Sequence, residues 1–485
     1  MYPKNQKFLV LGLSSSGYSA TEFLLQRGAE TYVYDDVESV KVEQNFSKLT
    51  QKGAKRVQKE ELSSVAEGCD VLVLSPGIPI DHPLSVAFKR KGKSVVGETE
   101  LAVRYMRCPI IAVTGTNGKT TTVSLIAQTL QTGGYEAHAC GNIGTPMLDF
   151  SALQEEAIAV AEISSFQLET LNSICPHVSV ILNITEDHLN RHYNMENYVF
   201  LKAKLLKNAS EAEYAVLNYD DKIVRSFAEK TKAKVVWFSV KEKVNGAYYE
   251  NGNLYFGEEK IISANELFAS GLHNIQNALA TIATGKIMRV STENLAKSLR
   301  DFKGVKHRLE KVACVNDVTF IDDSKATNVD ASVQAIQTVK GEIILLLGGK
   351  NKGYDYTHLF EVIKRENVVQ TILYGENRYE LLKCARENKL ENITLCVRFE
   401  LAVRVAFMLA QSGQTVLLSP ASASFDEFSS YEERGDTFVE IIRTYAEKTA
   451  QKQTKIGEEC ADEAIFDDNV RSEREIALDD NSEIE

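Results

Sequence analysis

The sequence predicts an α/β protein of three domains, each a mainly parallel sheet with flanking helices. The first observation is length, since 485 residues are too many for one ordinary hydrophobic core. The second is pattern, because short apolar runs alternate with stretches of helical periodicity, as in parallel sheets joined by crossover helices. We predict Rossmann-like N-terminal and C-terminal domains, with an α/β domain of P-loop type between them in the chain.

The N-terminal domain is predicted to span residues 1–98. Its strands are the runs "KFLVLGL", "TYVYDD" and "DVLVLSPGIP", and the first of them leads into a helix. The turn after the first strand carries Ser14 where the dinucleotide-binding fingerprint has its second glycine. The sequence therefore does not imply NAD.

The central domain is predicted to span residues 99–304, and the C-terminal domain residues 305–448. The central strands are "PIIAVT", "AIAVAEISS", "VSVILNI" and "YAVLNYDD". The C-terminal domain begins with a hairpin around Asn316-Asp317 and continues through the strands "EIILLLGG", "QTILYG" and "TVLLSPA". Because the linkers are short, we expect the domains to pack around a common cleft, where ligands usually bind.

Nearly all of the net charge of −12 lies at the C-terminus. Residues 456–485 hold twelve acidic residues and two arginines, a charge of −10, which leaves −2 for the rest of the chain. This segment has no sustained apolar periodicity, so we expect an acidic, disordered tail over 449–485. The rest of the chain has no basic run that would bind nucleic acid.

The remaining composition favours a cytoplasmic protein. No apolar run approaches the ~20 residues that span a bilayer, and the N-terminal "MYPKNQKFLVLGL" has no signal-peptide cleavage site after it. The eight cysteines are scattered without a Cys-x-x-Cys pair, which suits reduced thiols better than disulfides or zinc. We also expect a monomer.

The run "VTGTNGKTTT" (113–122) has the context of a phosphate-binding loop, although Val113 stands where the usual loop has its first glycine. A strand precedes it and a helix follows it, so backbone N–H groups, the helix N-terminus and Lys119 would meet phosphate oxygens. The predicted ATP-binding residues here are Gly115, Thr116, Asn117, Gly118, Lys119, Thr120 and Thr121. The shortened loop resembles the ATP loop of the Mur ligases and folylpolyglutamate synthetases.

Candidate metal ligands stand at the ends of two later strands. Glu162 ends "AIAVAE", and a carboxylate beside phosphate-bound Mg²⁺ is a preferred ligand, as is the hydroxyl of Thr120. Both His188 and His192 follow the strand "VSVILNI". The resemblance favours His188, because the family's histidine follows Glu-Asp directly.

The resemblance further implies two Mg²⁺ ions and a carbamylated lysine. The family carries the carbamate four residues after a tyrosine, which here is Lys202 after Tyr198. Carbamylation needs a neutral amine, which for lysine requires burial. Lys204 is a competing candidate, and the sequence alone does not choose between them. The implied catalytic residues are Lys119, His188 and Lys202, and the lysine carbamate would be a fourth metal ligand beside Thr120, Glu162 and His188.

Other segments resemble the family's ATP and amino-acid contacts. The resemblance implies ATP contacts from Asn274, Asn277, Arg308 and Asp323. The run "DDSKATN" (322–328) is very similar to that of the members that add D-glutamate. The implied amino-acid pocket consists of Lys325, Thr327, Lys352, Ser424, Phe425 and Tyr431, with Tyr431 standing where the family more often has Phe.

The N-terminal domain resembles the family's uridine-diphosphate domain. The implied substrate contacts are Ser15 and Ser16 for the diphosphate, Asp35 and Asp36 for the uridine, and Asn142 and the turn 75–79 for sugar and phosphate. Asp36 replaces a threonine that is commoner in the family.

The implied activity is ATP-dependent addition of D-glutamate to UDP-N-acetylmuramoyl-L-alanine in peptidoglycan synthesis, through an acyl phosphate. One alternative is a sister ligase that adds another amino acid, which "DDSKATN" disfavours. A second is a folylpolyglutamate synthetase-like ligase, which lacks the N-terminal domain. A third is a nucleotide-switch protein that makes no bond, which would leave the amino-acid pocket without a purpose.

Overall fold

The structure is a computed structural model that describes residues 6–37, 40–142, 144–267, 271–351 and 354–449. It confirms the predicted α/β fold with three mainly parallel sheets and flanking helices. Contacts divide the chain into two compact units between Val305 and Lys306, with two sheets in the first unit and one in the second. The boundaries of the three domains and their common cleft stay predictions.

The first sheet has five parallel strands. The strands are β1 (Lys7–Leu11), β2 (Glu30–Tyr34), β3 (Lys55–Arg56), β4 (Val71–Leu74) and β5 (Ser94–Gly97), and the helices are α1 (Ser15–Gln26), α2 (Val40–Gln51), α3 (Leu62–Gly68), α4 (Pro83–Arg90) and α5 (Glu98–Tyr105). The spatial order is β3-β2-β1-β4-β5. The strand order therefore reverses beside β1, and such a switch point is where open α/β sheets usually bind ligands.

The second sheet has nine strands in the order β14-β13-β12-β11-β10-β9-β6-β8-β7. The strands are β6 (Ile110–Thr114), β7 (Ala137–Gly141), β8 (Ile158–Glu162), β9 (Val178–Ile181), β10 (Tyr214–Asn218), β11 (Lys234–Ser239), β12 (Gly246–Glu250), β13 (Asn253–Phe256) and β14 (Glu259–Ser263). The β12–β13 and β13–β14 pairings are antiparallel, and the other pairings are parallel. Every residue of β6, β8 and β9 is buried, as expected for parallel strands covered on both faces.

The helices of the second sheet start beside the predicted site residues. They are α6 (Lys119–Thr132), α7 (Ser165–Thr170), α8 (Leu189–His192), α9 (Met195–Ala203), α10 (Lys222–Ser226), α11 (Leu272–Ile287) and α12 (Thr292–Asp301). Side chains cap four of them, and among these caps Ser164 accepts from the Gln167 N–H and Asn194 from the Asn197 N–H. These caps satisfy first-turn N–H groups and fix where α7 and α9 begin.

The third sheet, in the second unit, has the order β15-β16-β20-β17-β18-β19. The strands are β15 (Glu310–Val315), β16 (Val318–Asp322), β17 (Ile343–Gly348), β18 (Val368–Tyr374), β19 (Ile393–Leu395) and β20 (Thr415–Leu418), and the helices are α13 (Val329–Thr338), α14 (Thr357–Arg365), α15 (Arg378–Glu387), α16 (Phe399–Leu409) and α17 (431–449). The antiparallel β15–β16 pair confirms the predicted hairpin, with Asn316 and Asp317 at positive φ in its two-residue turn.

Within the described ranges, none of the helices combines the length and the apolar character that crossing a membrane requires.

Candidate active site

The phosphate loop connects the centre of the second sheet to α6. Gly115 has a φ of 157° and Gly118 a φ of 84°, conformations that side-chain-bearing residues rarely adopt. A Cβ at Gly118 would also collide with Oδ1 of Asn277. Lys119 Nζ donates to the carbonyl oxygens of Gly115, at 2.9 Å, and Thr116, at 2.7 Å. The lysine cation thus lies folded over the loop that it follows.

The predicted metal ligands Thr120 and Glu162 contact each other. Thr120 Oγ1 donates to Glu162 Oε2 at 2.7 Å, and Asn142 Nδ2 donates to Glu162 Oε1 at 2.8 Å. The carboxylate is 2% exposed, and Thr121 is buried beside Thr120 in the first turn of α6. The structure therefore brings a hydroxyl and a carboxylate, both hard oxygen donors that suit Mg²⁺, to the start of the phosphate-loop helix.

Of the two candidate lysines, Lys202 is the one that reaches the phosphate loop. Its side chain is 1% exposed, and Nζ donates to the Gly115 carbonyl oxygen at 2.8 Å. Burial, and then the charge of Lys119, hold the pKa of Lys202 well below its ordinary value. Lys204 instead donates to the Leu168 carbonyl oxygen, and burial lowers its pKa to about 8. Geometry thus separates two lysines that the sequence does not distinguish.

The two histidines have different surroundings. His192 is buried, with Nε2 3.0 Å from Ser165 Oγ, and burial together with the charge of Arg191 lowers its pKa to about 4. It is therefore neutral and part of the packing. His188 has a φ of 56° and precedes α8, with Nε2 3.5 Å from Asp187 Oδ2 and its ring against Phe166. The more accessible histidine is the one that the resemblance favours.

The predicted adenine-side residues lie on the buried face of α11. Asn274 and Asn277 are both buried, and Thr122 Oγ1 donates to Asn277 Oδ1 at 3.2 Å. Asn277 Nδ2 is buried and has no hydrogen-bond partner among the described residues. An unmet buried donor costs about 1–3 kcal/mol, which an acceptor on a ligand would offset.

In the first sheet, the predicted diphosphate residues begin the helix that follows the switch-point strand. Ser15 and Ser16 are the first residues of α1, whose N–H groups suit an anion. Asp35 Oδ2 accepts from the Leu13 N–H at 2.6 Å, and its Oδ1 accepts from the Val37 N–H at 2.9 Å. Asp36 accepts from the Tyr34 hydroxyl. Asp35 thus stabilises the turn in front of α1 through these hydrogen bonds. The contacts of Asp35 and Asp36 with uridine stay a prediction.

The second unit carries the predicted hinge and amino-acid residues. Asp323 is buried and accepts from Ser419 Oγ at 2.8 Å, and burial, opposed by the charge of Arg308, raises its pKa to about 7. Lys325 Nζ donates to the Tyr431 hydroxyl at 2.9 Å and lies 4.8 Å from the centre of its ring. A phenylalanine at position 431 would lack this hydrogen bond.

The remaining predicted amino-acid contacts differ in their exposure. Thr327 is half-buried, and its N–H donates to the Lys325 carbonyl oxygen at 2.9 Å. Ser424 is buried, whereas Phe425 is 62% exposed. The predicted contact Lys352 lies outside the described residues.

Two residues that the sequence reasoning missed hold the loops of this pocket together. Arg434, at 0% exposure, donates to Ser324 Oγ at 2.9 Å, to the Ser324 carbonyl oxygen at 2.8 Å and to the Ser422 carbonyl oxygen at 3.1 Å. Asn377 Oδ1 accepts from the Gly349 N–H at 3.0 Å, and its Nδ2 donates to Ser422 Oγ at 2.9 Å. Arg434 precedes the buried Phe438 and Ile442 at four-residue spacing, so its place on an apolar helix face was a usable signal. No comparable pattern marks Asn377.

Three family models match the chain along most of its length. The Mur ligase MurD-like N-terminal domain matches residues 6–97, the Mur ligase middle domain residues 113–285, and the glutamate ligase domain of Mur ligases residues 307–422. The first match covers the five-stranded sheet, the second covers the phosphate loop, and the third covers "DDSKATN".

Curated relatives align with nearly their whole length. UDP-N-acetylmuramoylalanine–D-glutamate ligase of Caldanaerobacter subterraneus is 38% identical over 444 residues, which are 90% of this chain and 98% of the relative. The enzyme of the same name from Streptococcus equi is 40% identical over 441 residues, which are 90% of this chain and 96% of the relative.

Solved structures share the fold at lower identity. UDP-N-acetylmuramate–alanine ligase MurC of Thermotoga maritima superposes with a TM-score of 0.59 at 17% identity, covering 91% of this chain and all of that one. MurF ligase of the same organism, solved in complex with ADP, gives a TM-score of 0.55 at 18% identity, covering 80% of this chain and 92% of that one.

Proposed function

Because the chain belongs to the Mur ligase family, we infer that it is an ATP-dependent ligase that joins D-glutamate to UDP-N-acetylmuramoyl-L-alanine. The observation that carries this inference is alignment over 90% of the chain, at 38–40% identity, with ligases of that name. A sister ligase is disfavoured because those relatives add D-glutamate by name. A folylpolyglutamate synthetase-like ligase is disfavoured by the matched N-terminal domain.

The reaction proceeds in two steps, formation of an acyl phosphate and then of the amide. A carboxylate oxygen of the substrate's alanine attacks the γ-phosphorus of ATP, and the bond to the β–γ bridging oxygen breaks, giving an acyl phosphate and ADP. The unprotonated amine of D-glutamate then attacks the acyl carbon, and as the tetrahedral intermediate collapses to the amide, inorganic phosphate leaves and the amine proton passes to solvent. Positioning and charge stabilisation dominate phosphoryl transfer. We assign Lys119 and the N–H groups of residues 115–120 to the charge on the transferred phosphoryl group.

Mg²⁺ fits the oxygen donors around the phosphate loop. Thr120 and Glu162 already contact each other at 2.7 Å, and hard cations prefer hydroxyl and carboxylate oxygens. We propose that these two residues and His188 hold the metal, with a second ion near Lys202. Bound Mg²⁺ supplies charge neutralisation for the phosphates. His188 is within reach of Asp187 Oδ2, which would orient its ring.

We propose that Lys202 is carbamylated. Its buried amine and its lowered pKa supply the neutral nucleophile that reaction with carbon dioxide requires. The product is an anion whose remaining N–H would still donate to the Gly115 carbonyl oxygen, and the Lys119 charge would offset its negative charge beside Asp187 and Glu162. Lys204 lacks the contact with the phosphate loop, so it is not the proposed site.

The remaining roles follow the family resemblance. In the second unit, we assign Arg308 and Asp323 to ATP, and the pair Lys325–Tyr431 to a carboxylate of D-glutamate, since an ammonium group held by a hydroxyl suits that anion. The other proposed amino-acid contacts are Thr327, Lys352, Ser424 and Phe425. In the first unit, the proposed ATP contacts of α11 are Asn274 and Asn277.

A phosphate-release assay tests the function. Release with ATP and UDP-N-acetylmuramoyl-L-alanine should depend on D-glutamate and stay at background with L-glutamate, L-lysine or meso-diaminopimelate. Release that another amino acid supports equally well would favour a sister ligase. Release that needs no amino acid and forms no amide product would favour a simple nucleotide hydrolase.

We further propose that the enzyme is monomeric and cytoplasmic, and the compartment is supported by the three charged substrates that it would use and by cysteines that suit reduced thiols. Light scattering of the purified chain tests the first point. Cell fractionation with antibody detection tests the second.

A further inference from the structure

Arg191 joins three segments of the first unit that carry proposed site residues. It lies in α8, three residues after His188, and its side chain is 12% exposed. A charged side chain this well covered must be satisfied by specific partners, because burying an unpaired charge is costly. Its partners come from two other parts of the unit.

One partner is the helix that follows Glu162. Arg191 Nε donates to Glu169 Oε1 at 2.9 Å, and Nη2 donates to Glu169 Oε2 at 2.6 Å, a two-bond fork that fixes the plane of the guanidinium group. The guanidinium carbon also lies 5.1 Å from the centre of the Phe166 ring. Arg191 is therefore anchored to α7 on the second sheet.

The other partner is the turn that follows β4 of the first sheet. Arg191 Nη2 donates to the Ile78 carbonyl oxygen at 2.8 Å and to that of Pro76 at 3.3 Å, and Nη1 donates to that of Gly77 at 3.2 Å. The Tyr193 hydroxyl adds a contact to Asp81 just beyond the turn. Three consecutive carbonyl groups thus face one guanidinium group.

This arrangement decides which way the turn presents its other groups. The described part of the chain has no cis peptide bond, so the Gly77 N–H points opposite to the Pro76 carbonyl and away from Arg191. Gly77 is exposed, and a Cβ built on it would meet no atom within 4 Å. The Gly77 N–H therefore lies on the side of the turn away from Arg191, at a residue that is itself exposed.

We propose that Arg191 is a positioning residue that holds the turn 75–79 in register with the Glu162 and His188 segments, so that the nucleotide-sugar substrate and ATP meet in the reacting geometry. The proposal rests on the proposed function and adds a residue that touches neither substrate. Only an arginine serves here, because one planar fork reaches a carboxylate and three carbonyl groups, whereas a lysine has three donors at a single point.

The test compares Arg191→Lys with Arg104→Lys in the full-length chain. Arg104 also donates from Nε and Nη2 to a buried carboxylate, reaching Oε1 of Glu100 at 2.9 and 2.6 Å, and it makes no hydrogen bond to the turn within the described residues, so it controls for loss of an arginine–carboxylate contact alone. For Arg191→Lys, the KM for UDP-N-acetylmuramoyl-L-alanine should rise about tenfold, the scale of one lost supporting hydrogen bond, while the KM for ATP and for D-glutamate should change less than about twofold. Arg104→Lys should leave all three unchanged.

Calorimetry of nucleotide-sugar binding without ATP distinguishes a failure of the proposed function from a failure of the role proposed for Arg191. Wild-type chain that does not bind the nucleotide sugar would overturn the proposed function and this inference with it. Wild-type binding that Arg191→Lys retains in full would overturn the inference alone, as would equal rises in all three KM values. Should Arg191→Lys fail to fold, Tyr193→Phe replaces it, because Tyr193 is exposed. A weaker affinity for the nucleotide sugar alone supports the proposal, and an unchanged affinity overturns it.

Discussion

The phosphate loop of the first unit and the amino-acid pocket of the second unit are built differently. Around the phosphate loop, the residues predicted from sequence bond to one another, as in the contacts Thr120–Glu162, Glu162–Asn142 and Lys202–Gly115. In the second unit, predicted residues make the side-chain contact Lys325–Tyr431, together with a local backbone bond from the Thr327 N–H to the Lys325 carbonyl oxygen. The loops of the pocket are held instead by Arg434 and Asn377, which belong to no motif.

The difference follows from the ligands. A phosphoryl group that is being transferred is stabilised by N–H groups, cationic side chains and metal ions at short range, so the residues that bind it are also neighbours in the fold. An amino acid is recognised by loops whose conformation is fixed by residues that pack beneath them and do not contact the ligand. Many different residue types can fix a loop in this way. Substitutions near the phosphate loop should therefore change the rate, and those behind the pocket should change stability and KM.

Lys119→Ala tests whether substitutions near the phosphate loop change the rate, and it should have the largest effect of the variants proposed. Losing one contact to developing charge costs roughly 2.7–4 kcal/mol of transition-state stabilisation, or about 10²–10³-fold in kcat. The melting temperature should stay near that of the wild type, since the hydrogen bonds of Lys119 Nζ to the Gly115 and Thr116 carbonyl oxygens lie within its own loop. The measurement is steady-state phosphate release, with the exposed Lys230→Ala as control. Unchanged specific activity would refute the assignment of the loop.

Lys202→Ala should also abolish most turnover, but in a way that added anions can reverse. Acetate or formate should restore part of the activity, because a small carboxylate can take the place of the carbamate. Lys204→Ala is the matched control, since Lys204 bonds to the Leu168 carbonyl instead of the phosphate loop. If carboxylates rescue Lys204→Ala and not Lys202→Ala, the wrong lysine has been chosen.

Arg434→Lys tests whether substitutions of the residues that hold the pocket loops change stability and KM. The fork to Ser324 and Ser422 is lost, and hydrogen bonds to a charged group contribute about 1.5–3 kcal/mol each, so unfolding of the second unit should become easier by roughly 2–3 kcal/mol. Urea unfolding followed by circular dichroism measures this, with the exposed Arg386→Lys as control. The KM for D-glutamate should rise more than that for the nucleotide sugar. Loss of kcat at full stability would remove the distinction between the two regions.

Glu98→Gln examines a buried carboxyl group outside both regions. Burial raises the pKa of Glu98 to about 7 from an ordinary 4.5, although the Leu148 N–H and the Thr99 hydroxyl donate to it. Between those two pH values the folded chain holds a proton that the unfolded chain has lost, so stability falls as the pH rises through this window. Glutamine imitates the protonated carboxyl group.

Between pH 5 and pH 8, the free energy of unfolding of Glu98→Gln should rise relative to that of the wild type by up to roughly 2–3 kcal/mol, because one pKa unit corresponds to about 1.4 kcal/mol. Thermal unfolding at several pH values gives the difference. A difference that does not change with pH would show that Glu98 titrates as an ordinary glutamate.

Truncation after Ala450 should have the smallest effect. The segment removed lies outside the described residues, and its acidic composition offers little apolar surface to bury. The melting temperature and D-glutamate-dependent phosphate release should stay near those of the full chain, while solubility near neutral pH should fall as the net charge moves toward zero. A loss of activity of about tenfold, which corresponds to 1.36 kcal/mol of barrier, would show that the tail supports catalysis.

Sequence reasoning reached the three-sheet α/β fold, the hairpin at Asn316-Asp317 and the contact between the Thr120 and Glu162 segments. It did so because strand-then-glycine patterns and motif spacing are local properties, and because parallel strands end at one edge of a sheet. It left Lys202 and Lys204 unresolved, since both lie in one helical stretch and only packing decides which of them points at the loop. It also passed over Arg191 and Asn377, whose partners are far away in the chain.

By itself, then, the sequence determined the class of fold, the phosphate loop and the family to which the chain belongs, because these depend on short patterns that repeat wherever the same chemistry is needed. The tertiary structure alone decided that Lys202 is buried against Gly115, that His192 is neutral packing while His188 stays accessible, and that Arg434 lies buried as a cation among carbonyl groups. Each of these depends on burial and on partners distant in sequence. Burial changes the cost of a charge by more than any neighbouring residue in the chain does.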